Sequence, residues 1–228
     1  MSNLKANIYG DSVMKGTVVT DDLNKHAVMD KTLKRIYDSF KIQIANKSKF
    51  GITIKMGSRI LERDIEKGVD VNYALIEFGG NDCNYRWENI SKDPSGDHSP
   101  LTPINDFKET YKRMIEKVKN AGIKPIGMSL PPLDAEKYYN FLVDRGNDAK
   151  NLLKWLGDVS MLYRQHETYS NAVTKIAKAA GILFVDVREY FLQNHNFKNL
   201  MCIDGIHPNE NGHKLIHQAF DEYLTENL

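Results

Sequence analysis

Five short, nearly continuous apolar runs divide this chain: Lys5–Tyr9, Ile42–Ala45, Tyr73–Phe78, Ile126–Leu130 and Ile182–Val187. A strand that is apolar at consecutive positions, rather than at every second one, is covered on both faces. Between the runs, apolar residues recur at helical spacing. Phe107, Tyr111, Met114, Ile115 and Val118 form one stripe, which stops at Ala121-Gly122. A longer stripe runs from Val159 to Ala180 and stops at Gly181, and a third spans Leu215–Tyr223. Glycine just beyond the last periodic residue is a helix stop signal. Strands alternating with helices imply right-handed crossovers and a parallel sheet with helices on both faces. The expectation is an α/β protein: one three-layer α/β/α domain over residues 1–228 around five parallel strands.

Two stretches break the alternation. Residues 83–105 are polar and carry Pro94, Gly96, Pro100 and Pro103; residues 131–157 begin with Pro131-Pro132 and are rich in aromatic and leucine side chains. Each follows a strand, and long connections at the carboxyl ends of parallel strands commonly shape a ligand site. Tyr85, Trp87 and His98 in the first are therefore candidate substrate-binding residues. Tyr138, Tyr139, Phe141 and Trp155 in the second either wall the same pocket or fill the small core of a helical hairpin.

Charge narrows the classes of partner. Lys plus Arg number 31 and Asp plus Glu 30, a formal net charge of +1. Such a chain lacks the broad basic field on which nucleic-acid binding rests. Two cysteines, Cys83 and Cys202, are too few for a disulfide scaffold and read as free thiols. No apolar run approaches the ~20 residues of a membrane span, and the start Met1-Ser2-Asn3-Leu4-Lys5 is unlike an export signal. No membrane association and a cytoplasmic location are the expectations.

Three motifs carry chemistry. Gly10-Asp11-Ser12 ends the first strand, where a tight turn exposes a serine that a nearby base can activate; an Asp-Ser helix cap after a glycine turn has the same signature. Gly79-Gly80-Asn81-Asp82 ends the third strand. Its glycines allow close backbone approach and the Asn81 amide can donate to a developing oxyanion, although such residues also make ordinary turns. Asp204-Gly205-Ile206-His207-Pro208 precedes the last helix. There a carboxylate can orient an imidazole and leave its other nitrogen free as a base; a plain pre-helix loop ending in proline is the simpler reading. All three belong at one edge of the sheet, in the order Ser, Asp, His, without the Gly-x-Ser-x-Gly elbow of another hydrolase class.

Gly10-Asp11-Ser12-Val13, a glycine near residue 51, Gly79-Gly80-Asn81-Asp82 and Asp204-Gly205-Ile206-His207 together resemble the four blocks of the SGNH (GDSL) hydrolases, with Val13 in place of the leucine. The resemblance covers nearly the whole chain. It implies a flavodoxin-like fold and hydrolysis of a small-molecule ester or thioester without metal or cofactor. It places Ser12 as nucleophile, His207 as base and Asp204 as its orienting carboxylate, with Asn81, the Ser12 amide and a glycine amide as oxyanion donors. Gly51 is the expected glycine because it follows the second strand closely; Gly57 is the alternative. The expected substrate is a short-chain ester, an acetylated carbohydrate being the leading candidate. Acyl transfer, or lipase or thioesterase activity, by the same triad is an alternative, and neither acyl acceptor nor oligomeric state follows from these residues. A metallophosphoesterase needs clustered metal ligands, and His26, His98, His166, His195 and His217 lack such company; a non-catalytic binding module gives no reason to assemble Ser, Asn, Asp and His. His166 is expected in the core of its helix, His213 on a helix surface, Cys83 without a catalytic role and Glu77 as an inward-facing strand carboxylate in a structural hydrogen bond.

Overall fold

Tyr9 and Ile8, adjacent on the first strand, belong to two different cores. Successive strand residues point to opposite faces, so a sheet buried on both sides divides its apolar residues between two layers. The computed structural model describes residues 4–22, 25–27, 36 and 38–227; Met1, Ser2 and Asn3 of the amino-terminal reading, and the His26 side chain, lie outside what is described. Its strands are β1 (Leu4–Gly10), β2 (Thr17–Val19), β3 (Lys25–Ala27), β4 (Ile42–Asn46), β5 (Tyr73–Glu77), β6 (Lys124–Met128) and β7 (Leu183–Val185). Five of them form one parallel sheet in the order β4-β1-β5-β6-β7, while β2 and β3 pair antiparallel as a separate ribbon.

The helices are α1 (Ile54–Glu66), α2 (Trp87–Lys92), α3 (Ile104–Asn120), α4 (Ala135–Asp144), α5 (Ala149–Leu156), α6 (Ser160–Ala180), α7 (Val187–Leu192) and α8 (Glu210–Asn227). On one face of the sheet Tyr9, Ala74 and Ile76 pack with Leu61 of α1, Tyr111, Met114 and Ile115 of α3, and Val173 and Ile176 of α6. On the other, Ile8, Leu75, Met128 and Val185 pack with Val187 and Phe191 of α7 and Ile216 and Ala219 of α8. The three-layer α/β/α arrangement expected from the apolar runs is the observed one.

Differences from the sequence reading have local causes. The fourth strand stops at Met128 and the fifth at Val185. Asp186 turns away from the sheet to cap α7, accepting from the Glu189 amide, and it also accepts from the Ser129 hydroxyl at 2.7 Å. The polar stretch 83–105 contains α2, and 131–157 folds into α4 and α5. These three helices pack through Trp87, Ile90, Tyr138, Leu142, Leu152 and Leu156 into a small core of their own beside Leu162 of α6.

The sheet order changes direction between β1 and β5: one connection leads outward to β4, and the next returns across β1. At such a switch point the carboxyl ends of adjacent strands leave an open crevice, the usual ligand position in α/β sheets. Gly10-Asp11-Ser12 and Gly79-Gly80-Asn81 emerge there, with the α2, α4 and α5 cluster beside them.

Candidate active site

Gly10 allows β1 to end in a turn with almost no room around it. A methyl group at this position would lie 2.8 Å from the Met14 Cβ and 2.9 Å from Glu77 Oε2. The turn is held by its own backbone, with the Lys15 amide donating to Asp11 O and the Thr17 amide to Ser12 O, both at 3.0 Å. Asp11 Oδ1 accepts from the Val13 amide at 2.8 Å. Ser12 is 7% exposed, and that small opening borders a cavity.

The partner loop comes from the far end of the chain. A bridge between Met201 and Pro208 and a hydrogen bond from the Cys202 amide to His207 O at 2.8 Å close the segment into a tight turn. Asp204 Oδ1 accepts from the amides of Ile206 and His207 at 3.2 and 3.1 Å, which leaves Oδ2 facing the imidazole. His207 Nδ1 lies 2.6 Å from Asp204 Oδ2, and His207 Nε2 lies 2.8 Å from Ser12 Oγ. Burial acts to raise the Asp204 carboxyl. The hydrogen bond and charge of His207 outweigh it, and the carboxyl is held below its ordinary value. A carboxylate that fixes Nδ1 as the protonated nitrogen leaves Nε2 free to accept the serine proton.

Gly205, at the centre of this turn, has φ +69°, and a methyl group there would lie 2.5 Å from Asp134 O and 2.6 Å from the Tyr138 amide nitrogen. The Asp134 amide donates to Gly205 O at 2.8 Å, and the Asp134 side chain caps α4 through the amides of Glu136 and Lys137. The inserted helices are thus fastened to the turn that carries Asp204 and His207.

On the other side of Ser12, Gly79 has φ +141° and lies against Leu130, which turns the chain out of β5. Asn81 Nδ2 donates to Asp11 Oδ2 and to Ile52 O, each at 3.2 Å. Asp82 is fully buried; its two carboxylate oxygens accept from the Ile54 amide at 3.0 and 3.1 Å and so cap α1, whose own N-cap residue Thr53 makes no side-chain bond. Glu77 faces inward, as expected, and its Oε2 accepts from the Asp11 amide at 3.3 Å. Burial, then the neighbouring Asp11 charge, raises Glu77 well above the usual carboxylate range. Burial also raises Asp82, to about 7.

The two candidate glycines differ in setting. Gly57 lies within α1, where its amide donates to Thr53 O at 3.0 Å and an added Cβ would lie 2.0 Å from the Phe78 ring. Gly51 lies in an exposed turn after β4 with φ +67° and nothing within 4 Å of an added Cβ. The residue after it, Ile52, is the one whose carbonyl holds Asn81. Neither glycine lines the cavity.

The cavity has a volume of about 60 Å³ and is bordered by Ser12, Asn81 and His207 at one end. Tyr85, Trp87, Tyr138 and Trp155 form its aromatic side. The Tyr85 and Trp155 rings meet edge to face at 4.7 Å, and Trp87 Nε1 donates to Tyr138 Oη at 2.8 Å. The aromatics of the second stretch therefore serve both ends named from sequence: a helical core, one side of which is a cavity wall. His98 does not reach the cavity. Its Nε2 lies 2.7 Å from Asp93 O, and its ring packs against Trp155 with 6.0 Å between centroids, so it buttresses a wall residue rather than lining the space. Cys83 borders the cavity as a thiol, pushed up by burial.

His213 is a correction. The sequence predicts a helix-surface position, but the ring is fully buried and its Nε2 donates to Thr17 O at 3.0 Å, tying α8 to β2. Sequence spacing could not reveal a contact across 196 positions. Among the described residues no group of three or more His, Cys, Asp or Glu side chains is placed to hold a metal ion, and no helix is long and apolar enough to cross a membrane.

The model of the GDSL-like lipase/acylhydrolase family matches residues 8–215. The GDSL esterase/lipase CPRD49 of Arabidopsis thaliana is 23% identical over 153 residues, covering 66% of this chain and 53% of that protein, so the match spans about half the length of the relative. Among solved structures, a lipase/acylhydrolase from Enterococcus faecalis aligns with a TM-score of 0.68 at 16% identity, covering 98% of this chain and 96% of that one. The acetylxylan esterase Axe2 from Geobacillus stearothermophilus, solved as a catalytic mutant, aligns with a TM-score of 0.67 at 19% identity, covering 98% and 94%.

Proposed function

The chain belongs to the GDSL-like lipase/acylhydrolase family, and on that premise we propose that it is a serine esterase that removes short acyl groups, acetyl foremost, from small uncharged alcohols such as carbohydrates. The observation that carries this reading is the run of contacts from Asp204 through His207 to Ser12 Oγ, 2.6 and 2.8 Å, ending at a cavity.

In the first step His207 Nε2 takes the Ser12 proton as Oγ attacks the ester carbonyl carbon. The carbonyl oxygen becomes an oxyanion facing the Ser12 amide and the Asn81 amide group, both of which border the cavity. Donors fixed in place before the charge develops need no reorganisation, which is why such sites contribute heavily to rate. The tetrahedral species collapses, the C–O bond to the alcohol breaks, and the leaving oxygen takes the proton from His207. Water then gives a proton to His207 and attacks the acyl-enzyme, releasing the acid and restoring Ser12. Asp204 stays ionised throughout and holds the imidazole tautomer.

Cavity size supports the short acyl group. By the measure on which one water needs ~10–15 Å³, about 60 Å³ is the space of a few waters, which takes the reacting end of a small ester and no long acyl chain. The Geobacillus neighbour's named substrate is of the same acetylated class.

Ser12→Ala is expected to abolish hydrolysis of p-nitrophenyl acetate and labelling by a fluorophosphonate while leaving the melting temperature near that of the wild type; chelators should have no effect. Across p-nitrophenyl esters kcat/KM should be highest at C2–C4. Full turnover by a folded Ser12→Ala protein ends the serine-esterase reading, and a maximum at C10 or longer ends the short-chain one.

A further inference from the structure

His166 lies on α6. It is 7% exposed, it borders the cavity, and its buried Nδ1 makes no hydrogen bond. Its polar neighbour is fully engaged by contrast. Arg188 pairs with Glu167 and donates to Tyr163 Oη at 2.7 Å and to Leu130 O at 3.0 Å. A buried polar group without a partner carries a desolvation cost of about 1–3 kcal/mol, so such groups are normally satisfied by protein, water or ligand. Resting on the esterase reading above, we propose that His166 selects a hydroxyl-bearing, uncharged alcohol by hydrogen-bonding one of its hydroxyl groups inside the cavity.

The chemistry of the surroundings chooses the ligand. Burial, and then the charge of Arg188, pushes the imidazole down to about 3. The ring is therefore neutral at working pH, with one nitrogen donating and the other accepting. A hydroxyl group, itself donor and acceptor, suits either tautomer. An anionic group would enter a space that no lysine or arginine borders, while the Arg188 charge is already committed to Glu167. Burying an unpaired charge there is strongly unfavourable. The side walls are ring surfaces of Tyr85 and Trp155, which accept the C–H faces of a sugar ring as readily as those of a hydrocarbon. Aromatic wall plus neutral hydrogen-bonding end describes a polyol or sugar. An acetyl group has no hydroxyl, so the hydroxyl that reaches His166 belongs to the alcohol side of the ester.

A site built to bond a hydroxyl rejects the analogue lacking it, because its own polar group is left unpaired. The test compares kcat/KM for a monoacetylated methyl xyloside with that for cyclohexyl acetate, which keeps the six-membered ring and lacks the hydroxyls. The wild type should prefer the xyloside by ~10-fold or more, His166→Leu should reduce that ratio by ~10–100-fold, and His166→Gln, which keeps a hydrogen-bonding group, should retain part of it. A ratio is insensitive to a uniform loss of active protein. An unchanged ratio in folded His166→Leu overturns the proposal. So does a His166-dependent preference for ethyl lactate over ethyl propionate, which would put the hydroxyl on the acyl side. If His166→Leu does not fold, ring ¹⁵N shifts of His166 in Ser12→Ala on adding methyl xyloside decide: a shift supports the contact and its absence overturns it. Failure of the esterase reading itself looks different, since the wild type would then hydrolyse neither ester and Ser12 would resist the fluorophosphonate.

Discussion

Asn81 has committed both of its amide hydrogens before any substrate arrives, one to Asp11 Oδ2 and one to Ile52 O. Both contacts are 3.2 Å, at the long end of the hydrogen-bond range, so they hold the amide in position without binding it tightly. An oxyanion forming above Ser12 would compete with a neutral carbonyl for one of those hydrogens, and hydrogen bonds to a charged acceptor are about twice as strong as neutral ones. Asn81 is thus oriented by the groups it would partly release. Asn81→Ala is expected to lower kcat by ~10²–10³ with little change in KM. It also strips a donor from buried Asp11, so the melting temperature should fall as well, by the equivalent of about 1–3 kcal/mol. If the loss lies in KM alone, Asn81 binds the ground state and the oxyanion assignment fails.

Among the elements, the one whose position matters most to the site is α4, because its amino terminus and the 204–207 turn are built against each other. Gly205 carries the contact. It needs φ +69°, a conformation L side chains rarely adopt, and the atoms a methyl group would strike, Asp134 O and the Tyr138 amide nitrogen, are backbone and cannot rotate away. Gly205→Ala must therefore separate α4 from the turn or distort the segment between Asp204 and His207. The expected result is a loss of about 1–3 kcal/mol of stability, together with a fall in kcat/KM and slower labelling of Ser12 by a fluorophosphonate. An unaltered melting temperature with full activity would mean that the helices and the turn are not coupled. The elements also show what a sequence makes legible. Ser12, Asn81, Asp204 and His207 were nameable because each sits in a short local pattern at a strand end or turn, and the structure brings those four positions to one crevice. Helix α1 went unread because its cap is Asp82, 28 residues away, rather than a residue at its own start. The inserted helices α4 and α5 were visible as aromatic and leucine-rich sequence, but their bifunctional packing, core on one side and cavity wall on the other, depends on α2 and α6 and is tertiary information. His98 was misplaced for the same reason: proximity to Asn81 in sequence does not say which side of Trp155 a loop residue will occupy.

Across the whole molecule, buried titratable groups of two kinds are shifted in opposite directions from their ordinary values and set opposing pH dependences of stability. His213 is pushed down to about 4, first by burial, while the ordinary value is 6.5; His166 is shifted in the same direction. Between pH 6.5 and 4 the unfolded chain holds protons on these rings that the folded chain does not, so their contribution to stability is present above that window and is lost as the pH falls through it. Asp82 behaves in the reverse sense. Folded, it keeps its proton up to about pH 7; its ordinary value is 3.8. Between these limits the folded chain holds more protons, so this contribution is present at low pH and is lost as the pH rises toward 7. Because each pKa unit corresponds to about 1.4 kcal/mol, either group can change stability by on the order of 2 kcal/mol or more across its window. Conservative variants separate the two. His213→Gln keeps a donor for Thr17 O and cannot titrate, so its stability relative to the wild type should improve as the pH is lowered from 6.5 to 4. Asp82→Asn keeps an acceptor for the Ile54 amide, so its relative stability should improve as the pH is raised from 4 to 7. Urea unfolding at several pH values between 4 and 8 measures both differences directly. Curves that run parallel to the wild type for His213→Gln would show that its ring takes up a proton in the folded protein as readily as in the unfolded chain. Curves of the wrong slope for Asp82→Asn would show that the carboxylate under Asn81 is ionised at neutral pH, with its charge balanced by the amino terminus of α1 that it caps.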